Sequence, residues 1–482
     1  VNATRVTWSV NVADDAGGAI YSESSDTKVY QSMILNNTAM NVAGGGIALM
    51  AASSIELWTT EVQYNNAPRG GGAIIDGGST LKDFQNTWFA NSANTEGGGI
   101  AFWSGTLAMS LTKFDSNTAM NGGGVYAIAD VSADNITWVS NIASMSGGGV
   151  WTNASIELFG CDLSKNSATD GGGLKATGGS TVTSSSSSWM NNKASNTGGG
   201  VCLDGASTLS LTADSFTSNM ASVHGGGVYA GAGSAMTAMS AKFTSNNATT
   251  SGGGVALVDS SLTSTSSTFS MNYATNGGAV YATTSSIDLT MDTLSRNEAT
   301  MMGGGVAAEV SSNMTSTNSK FTRNAAPTGG GIWASASTVT LSSDMFSTNM
   351  ANATAGGAVA LVSASTLTGD GVEFSMNTAV TTGGAADVDG STFYMVTGTF
   401  DQNKATTDGG AVHATGAAST VGVNMSTFTS NEAVNDGGAI ALVMGTLSLG
   451  SDAFLGNTAN NTGGAVYVAS SPTTTWSYAD SL

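Results

Sequence analysis

The chain has 482 residues, a formal net charge of −20 and only 10% charged residues, with 65 glycines against 3 prolines. This acidic balance argues against a nucleic-acid partner, because phosphates need a cationic surface, and against docking on an anionic membrane. No apolar run reaches the roughly 18 residues of a membrane-spanning helix, so we expect no membrane insertion. Low charge with much glycine would indicate disorder only if the composition had no period.

The sequence has a period of about 26 residues. Two glycines, then Gly or Ala, then an apolar residue recur eighteen times, with Ile20, Ile47 and Ile74 as the first three apolar residues and Val466 as the last. Upstream of every glycine run lies Asn-x-Ala, preceded at three residues by a large apolar side chain. This regularity predicts a single continuous repeat domain over residues 1–482 rather than the three domains that the length suggests.

Polar and apolar residues alternate between the glycine runs, for instance over residues 155–158, 286–289 and 446–449. Alternation at period two predicts strands with one buried face, and helical spacing is nowhere sustained. A unit of about 26 residues accommodates three short strands and three bends, and like units stack about 4.8 Å apart. We therefore predict an all-β parallel β-helix, a solenoid of about 18 coils with three short strands per coil and uncapped ends.

Each repeated position has a predicted role in the stack. The Phe or Trp residues form an inward aromatic row, each Asn lies at a bend and bonds to the Asn amides above and below, and the glycine run supplies φ > 0 and close backbone approach. Tyr126, Tyr229, Tyr281 and Tyr467 are expected to point outward. The predicted structural ladder includes Asn117, Asn219, Asn246, Asn272, Asn377, Phe114, Phe216, Phe243, Phe269 and Phe374.

The two motifs together resemble a known family. Gly-Gly-Ala-[Ile/Val], found at residues 17–20, 277–280 and in five other repeats, is paired with Phe-x-x-Asn as in the repeat of the polymorphic outer-membrane protein family. The resemblance covers nearly the whole chain. It implies a right-handed β-helix of the pectin-lyase-like superfold and a surface-exposed adhesin. It is more specific for the fold than for the function, because β-helices carry several functions.

Many pectin-lyase-like proteins cleave acidic polysaccharides with clustered Asp residues, a nearby His and basic residues. Here Asp14 and Asp15 are about eight coils from His224, a separation of about 40 Å. The four arginines are dispersed, and the net charge of −20 would repel a polyanion. We predict a protein that is not an enzyme, with no catalytic residue and no cofactor, and keep a polysaccharide lyase or hydrolase as the weakest alternative.

We interpret the isolated His and Asp residues as structural and not as metal ligands or catalytic groups. His224 and His413 are far apart and are interpreted as surface or turn residues. Three Asp residues directly precede glycine runs, namely Asp170, Asp408 and Asp436. A role in the turn explains an Asp at this position as well as Ca²⁺ binding does. We predict no metal site.

Cys161 and Cys202 are the two cysteines of the chain. Cys161 lies 13 residues before the apolar residue of its repeat, whereas Cys202 directly follows that of the next repeat. Different positions in successive coils favour two unpaired thiols over a disulfide.

Nine Asn-x-[Ser/Thr] sequons exceed mildly the number expected from composition, and they favour a secreted protein with covalent glycans. Unmodified Asn residues in a bacterial protein remain the alternative. The candidate glycosylation sites are Asn2, Asn36, Asn135, Asn153, Asn247, Asn313, Asn352, Asn424 and Asn460.

Both ends of the sequence look like unfinished coils. The chain begins at Val1, shortly before the aromatic position Trp8, and ends at Leu482 after a strand-like segment with Trp476 and Tyr478. Stacking the last coil of one copy on the first of the next would continue every ladder and build a filament. We name Trp8, Trp476, Tyr478 and Leu482 as assembly ends, and keep truncation of a longer β-helix as an equal explanation.

The sequence thus predicts a non-enzymatic extracellular structural protein, a rigid acidic glycosylated rod that stacks head-to-tail on copies of itself into a surface or secreted filament. The alternative is an adhesin-type module that binds glycans or a receptor through outward Ser, Thr and Tyr side chains.

Overall fold

The computed structural model describes residues 1–469 and 475–476, and all regular structure in them consists of short parallel β-strands. None of these residues forms a helix that could cross a membrane. The chain comprises two compact units, Val1–Thr237 and Ala238–Leu482. Each unit is a parallel β-solenoid with nine coils among its described residues, so the predicted fold is confirmed within each unit. The single continuous domain stays a prediction.

Each coil contains four strands, and the prediction of three was wrong. We name the four sheets A, B, C and D in the order in which the chain visits them within a coil. The additional strand begins directly after the repeated Asn, includes the Ala of Asn-x-Ala, and is two to five residues long. Such short strands give no alternation that a sequence pattern could reveal.

Sheet A carries the alternating residues and confirms their half-buried character, as in Ser286–Thr290, where Ile287 and Leu289 are buried between exposed residues. Its first-unit strands are Asn2–Thr4, Asp26–Tyr30, Ser54–Trp58, Ser79–Phe84, Gly105–Ser110, Val131–Asp134, Ile156–Phe159, Thr181–Ser185 and Thr208–Thr212, followed by Ala235–Met239 at the unit boundary. Its second-unit strands are Ser261–Thr265, Ser286–Thr290, Asn313–Thr317, Thr338–Ser342, Thr366–Asp370, Thr392–Val396, Thr420–Asn424, Thr446–Gly450 and Thr475–Trp476.

Sheet B consists of three-residue strands whose central side chain points into the core. Its first-unit strands are Thr7–Ser9, Met33–Leu35, Glu61–Gln63, Thr87–Phe89, Lys113–Asp115, Thr137–Val139, Asp162–Ser164, Ser188–Met190 and Ser215–Thr217. Its second-unit strands are Lys242–Thr244, Thr268–Ser270, Thr293–Ser295, Lys320–Thr322, Met345–Ser347, Glu373–Ser375, Thr399–Asp401, Thr427–Thr429 and Ala453–Leu455.

Sheet C begins directly after each repeated Asn. Its first-unit strands are Val12–Ala13, Thr38–Ala39, Asn66–Arg69, Ser92–Glu96, Thr118–Asn121, Ile142–Ser146, Ser167–Ala168, Lys193–Ala194 and Met220–Ala221. Its second-unit strands are Asn247–Ala248, Tyr273–Asn276, Glu298–Met302, Ala325–Ala326, Met350–Ala351, Thr378–Ala379, Lys404–Ala405, Glu432–Ala433 and Thr458–Ala459.

Sheet D follows the glycine run. Its first-unit strands are Ile20–Glu23, Ile47–Met50, Ala73–Ile75, Ile100–Phe102, Val125–Ala127, Val150–Thr152, Leu174–Ala176, Val201–Leu203 and Val228–Gly231. Its second-unit strands are Val255–Val258, Val280–Thr283, Val306–Glu309, Ile332–Ser335, Val359–Val362, Ala386–Asp389, Val412–Thr415, Ile440–Leu442 and Val466–Val468.

One repeat is shifted from the predicted alignment. Ala73, and not Ile74, pairs in register with Ile47 and Ile100 and fills the core position of sheet D. This repeat reads Gly-Gly-Gly-Ala-Ile, so the strict motif and the three-glycine motif overlap by one residue. Because side chains alternate between the faces of a strand, the shift places Ile74 on the outer face.

The aromatic residues of sheet B stack on their counterparts in adjacent coils. The Phe114 ring lies 5.9 Å from Trp88 and 5.8 Å from Trp138, with nearly parallel planes. In the second unit, Phe346 and Phe400 flank Phe374 at 5.1 and 5.0 Å. The predicted inward row is therefore confirmed within each unit, and its other predicted members are equally buried: Phe216, Phe243 and Phe269.

The repeated Asn residues form the predicted ladder. The backbone N–H and the Nδ2 group of Asn91 both donate to Oδ1 of Asn117, each at 3.0 Å. Asn117 donates in the same way to Oδ1 of Asn141, and its Nδ2 also donates to the carbonyl of Trp88. Its side chain thus accepts two hydrogen bonds and donates two while completely buried. The other predicted members are also buried and bonded to a ladder neighbour: Asn219, Asn246, Asn272 and Asn377.

The unusual backbone conformation at this bend belongs to the residue before the ladder Asn and not to the Asn itself. Lys165 and Met376 have φ of 56° and 54°, and the same position has φ > 0 in every coil. A second bend of this kind lies five residues earlier, for example at Leu111 with φ of 55°. Left-handed residues reverse the chain direction at both edges of sheet B.

A second polar ladder, which the sequence did not predict, lies five residues before the Asn ladder. The backbone N–H of Ser267 donates to Asp292 Oδ1 at 2.6 Å, that of Asp292 to Ser319 Oγ at 3.1 Å, and that of Ser319 to Asp344 Oδ1 at 2.7 Å. All four residues are buried. Desolvation by burial raises the pKa of both carboxyl groups, Asp292 and Asp344, to about 6.

The glycine run bends the chain from sheet C into sheet D where adjacent coils nearly touch. Gly122 has φ of +63°. A Cβ on Gly123 would lie 2.4 Å from the carbonyl oxygen of Gly148 in the next coil, so only glycine fits there. In other repeats the third position of the run is a buried alanine, as at Ala279.

We predict that Asn117→Leu destabilises the protein by about 1–3 kcal/mol or more, because both donors of Asn91 lose their acceptor in a buried position. Denaturant unfolding followed by circular dichroism measures the change. Asn41→Leu is the matched control, since Asn41 is exposed, and it should shift stability by no more than about 0.5 kcal/mol. Equal effects of the two substitutions would contradict the ladder.

We also predict an unusual pH dependence of stability. Because the pKa of Asp292 is about 6 in the folded protein and near 3.8 in the unfolded chain, the folded state binds more protons between these values. Its contribution is therefore fully present below about pH 4 and is lost as the pH rises through about 6, by up to roughly 3 kcal/mol.

Asp292→Asn should remove this share of the pH dependence, whereas Asp259→Asn, at an exposed position that does not contribute to the raised pKa of Asp292, should leave it in place. Denaturant midpoints measured from pH 4 to pH 7 for the three proteins give the comparison. If the denaturant midpoint of Asp292→Asn changed with pH in the same way as that of the unsubstituted protein, the raised pKa of Asp292 would be refuted.

Candidate functional site: the outer row of sheet D

Chemically distinctive side chains gather on the face of sheet D that points away from the core. We call the second residue of each sheet D strand the outer row, because these residues pair in register from coil to coil. In the first unit the outer row is Tyr21, Ala48, Ile74, Ala101, Tyr126, Trp151, Lys175, Cys202 and Tyr229. In the second unit it is Ala256, Tyr281, Ala307, Trp333, Ala360, Asp387, His413, Ala441 and Tyr467.

Much of the outer row is shielded from solvent although it lies outside the main core, whereas Tyr21 remains exposed. The first glycine of each run turns the chain back, so the residue before that glycine lies against the outer row. Thr197 Oγ1 is 3.4 Å from Cys202 Sγ, and Thr382 Oγ1 donates to Asp387 Oδ1 at 2.8 Å. In these places only the covering segment separates the outer-row side chain from solvent.

Most of the outer row is apolar or aromatic. Tyr126 and Trp151 stack with ring centroids 4.4 Å apart, and Tyr281 and Trp333 belong to a buried cluster in the second unit. Among the tyrosines expected to point outward, Tyr281 is only 9% exposed, and its hydroxyl donates to Glu309 Oε2 at 2.9 Å. These tyrosines point away from the core as predicted, but Tyr281 is buried and Tyr126, Tyr229 and Tyr467 are half-buried.

Asp387 and His413 form a buried pair in the second unit. Asp387 Oδ1 lies 2.7 Å from His413 Nδ1, and both residues are less than 10% exposed. The interpretation of His413 as a surface or turn residue was therefore wrong. The contacts run from Thr382 to Asp387 to His413, whereas a catalytic triad needs the nucleophile on the histidine side. This arrangement orients the imidazole but supplies no activated nucleophile.

Lys175 and Cys202 form the corresponding pair in the first unit. Lys175 Nζ lies 3.2 Å from Cys202 Sγ and 3.5 Å from Asp204 Oδ2. Burial raises the pKa of the Cys202 thiol. Burial alone would lower the pKa of Lys175, but Cys202, Asp204 and Asp170 together raise it. The pair is thus a protonated amine against a buried thiol.

The two cysteines are unpaired and buried, as predicted. Cys161 belongs to the second polar ladder, where its backbone N–H donates to Ser187 Oγ at 3.1 Å and its Sγ lies 3.5 Å from the carbonyls of Ala133 and Phe159. Burial raises its pKa to about 11. The two thiols therefore share burial but differ in their neighbours.

The Asp residues before the glycine runs bond to the adjacent coil. Asp170 Oδ1 accepts a hydrogen bond from Thr197 Oγ1 at 2.9 Å, Asp408 Oδ1 accepts from the backbone N–H of Asp436, and Asp436 Oδ1 accepts from that of Thr462. These bonds agree with the turn interpretation. Over residues 1–469 and 475–476, no group of three or more His, Cys, Asp and Glu side chains could hold a metal ion.

The residues weighed for an enzyme are not brought together. Asp14 and Asp15 belong to the first coil of the first unit, and His224 precedes the glycine run of its ninth coil. His224 lies beside Tyr229, with ring centroids 6.2 Å apart. No catalytic constellation follows from these positions.

The nine sequons lie at the surface. Seven of their Asn residues are exposed, and the two half-buried ones are Asn247 and Asn424. Asn36 and Asn135 have φ > 0 at the two bends that flank sheet B, where a side chain projects into solvent. The seven exposed Asn residues are Asn2, Asn36, Asn135, Asn153, Asn313, Asn352 and Asn460.

Two of the four predicted assembly ends lie outside the described residues, namely Tyr478 and Leu482. Trp8 is half-buried in the first strand of sheet B, and Trp476 belongs to the short strand Thr475–Trp476.

Sequence reasoning did not find the two outer-row pairs. The signal was present in the alignment of the repeats, because Lys175 and Cys202 each directly follow the apolar residue after a glycine run, as do Asp387 and His413. In a solenoid, equal positions in successive repeats become neighbours in space.

Comparison with known families supports the resemblance. Residues 397–415 match the Chlamydia polymorphic membrane protein repeat. This segment contains Phe400, Asn403 and the run Gly409–Val412, and in the structure it spans one strand each of sheets B, C and D. A search of curated proteins finds no match. The chain is thus a β-solenoid with repeats similar to those of the polymorphic membrane proteins.

Proposed function

We propose that this chain is a non-enzymatic structural protein of the cell exterior, a glycosylated β-solenoid. The proposal rests on one observation: the positions repeated throughout the sequence serve the stacking of coils. Asn117 bonds to its counterparts in the adjacent coils, Phe114 stacks on its counterparts, and Gly123 permits their close approach. The repeated Asn, Phe and Gly positions therefore stabilise the stack of coils, and none of them supplies a reactive group.

The exterior location is supported by the family resemblance and by the surface. The matched repeat is that of the polymorphic membrane proteins, and this chain has a formal net charge of −20. Seven of nine sequon Asn residues are exposed, where a bulky glycan does not disturb packing.

Head-to-tail association of copies is part of the proposal. Ladder residues such as Asn117 donate to the Asn of the following coil and accept from that of the preceding one, so the hydrogen bonds have a single direction. Two copies in the same orientation would present complementary donors and acceptors, and such heterologous contacts build open filaments.

Cells that make the natural protein provide the test. We expect a protease added to intact cells to release peptides of this chain, glycosidase treatment to reveal occupied sequons, and electron microscopy of the native material to show filaments. Cleavage only after lysis would contradict the exterior location. Unmodified sequons would contradict the glycans, and dispersed single copies would contradict the filament.

A second candidate, an adhesin-type module, is favoured by one exposed face of sheet A in the first unit. Tyr30, Trp58 and Phe84 pair in register there, and the rings of Trp58 and Phe84 are 4.2 Å apart. Trp58 is 39% exposed. Exposed aromatic rows are common at recognition surfaces. The row is flanked by an ionic ladder of Lys28, Glu56 and Lys82.

If this face binds a glycan or receptor, replacing both Trp58 and Phe84 with Ala should reduce binding of the purified protein to cells by about tenfold or more. Phe159→Ala is the matched control, because Phe159 is also exposed on sheet A at the same register position but is separated from Phe84 by the coils of Ser110 and Asp134. Surface plasmon resonance or flow cytometry gives the affinities. Unchanged binding by the double variant would exclude this face.

A further inference from the structure

Lys175 and Cys202 are held in contact across two adjacent coils. They are in-register partners of neighbouring sheet D strands, and the distance from Nζ to Sγ is 3.2 Å. Cys202 has no exposed surface, and Lys175 is 8% exposed. Thr197 Oγ1 contacts the sulfur from the covering segment at 3.4 Å. An amine and a thiol are thus kept together in a site open only to small reagents.

We propose that Lys175 and Cys202 form an oxidation-dependent covalent cross-link between adjacent coils, a sulfenamide, with hydrogen peroxide as the oxidant. Peroxide is about the size of water, so it can approach along the Lys175 side chain. Sulfenic acids are known to condense with nearby nitrogen. The structure places a primary amine within van der Waals contact of this sulfur, and the register keeps it there.

The reaction balances in two steps. Peroxide first oxidises the Cys202 thiol by two electrons to a sulfenic acid and is itself reduced, releasing one water. In the second step Lys175 first passes one ammonium proton to solvent by way of Asp204, whose carboxylate lies 3.5 Å from Nζ. The neutral amine then attacks the sulfur, the S–N bond forms, the S–O bond breaks, and hydroxide leaves as a second water with another proton from the nitrogen.

Cys161 provides a control within the same molecule. It is also buried in the first unit, but its sulfur lies against the carbonyls of Ala133 and Phe159, and these groups cannot act as nucleophiles toward a sulfenic acid. The amine, and not burial alone, distinguishes the two thiols.

The test treats the purified full chain with hydrogen peroxide, followed by trypsin digestion and mass spectrometry. We expect residues 166–193, uncut at Lys175, joined to residues 194–242, with a mass about 2 Da below the sum of the two peptides. Dithiothreitol should restore both peptides and cleavage at Lys175. The Cys161 peptide, residues 114–165, should carry no such link.

Two variants complete the test. Lys175→Arg keeps the positive charge but removes the nucleophilic amine, and Cys202→Ser removes the sulfur, so both should abolish the link. Circular dichroism checks that each variant folds, while the uncut Lys175 in the unsubstituted protein is a readout that depends on no variant. Gains of about 16 to 48 Da on Cys202 with normal cleavage at Lys175 would overturn the proposal. So would a link that persists in Lys175→Arg.

Discussion

The structure of each unit depends on like side chains lying directly above one another. A buried carboxamide such as that of Asn117 has two donors and an acceptor that takes two bonds, and the adjacent coils satisfy all of them. An unpaired buried amide costs free energy, so the ladder fixes the register of every coil as strictly as the core does. Neutral amides suit such a dry column, because stacked ions of one sign would repel one another and lose their hydration.

The repeat predicted the fold, the aromatic row and the Asn ladder because each of these requires one residue type at one position. The second polar ladder requires only a side-chain oxygen that accepts from the backbone N–H of the preceding coil, and Ser, Thr, Asn and Asp all supply it, as Asn86 and Thr112 show. Because the residue type at this position varies from repeat to repeat, the sequence shows no repeated residue there. The fourth strand was missed for a similar reason, since two paired residues such as Ser167–Ala168 carry no pattern.

The candidate site was least predictable, because neighbours in space are about 26 residues apart in sequence. His413 and Cys202 looked isolated, and each acquires its partner only when the preceding coil is placed beneath it. The covering of the outer row also depends on how sharply the glycine run turns the chain, which no local pattern expresses. Sequence periodicity thus predicts the core of a solenoid better than it predicts the side-chain pairs on its outer faces.

The bends that flank sheet B have a consequence for how such a protein can change. Their left-handed positions accept Lys165, Arg323, Met376 and Leu111 alike, so the backbone geometry there is imposed by the stack and not selected by the side chain. These side chains project from both edges of sheet B without entering any ladder. Two lines of freely exchangeable residues therefore run along each unit, where charge, bulk or attached sugar can diversify while the interior stays constant.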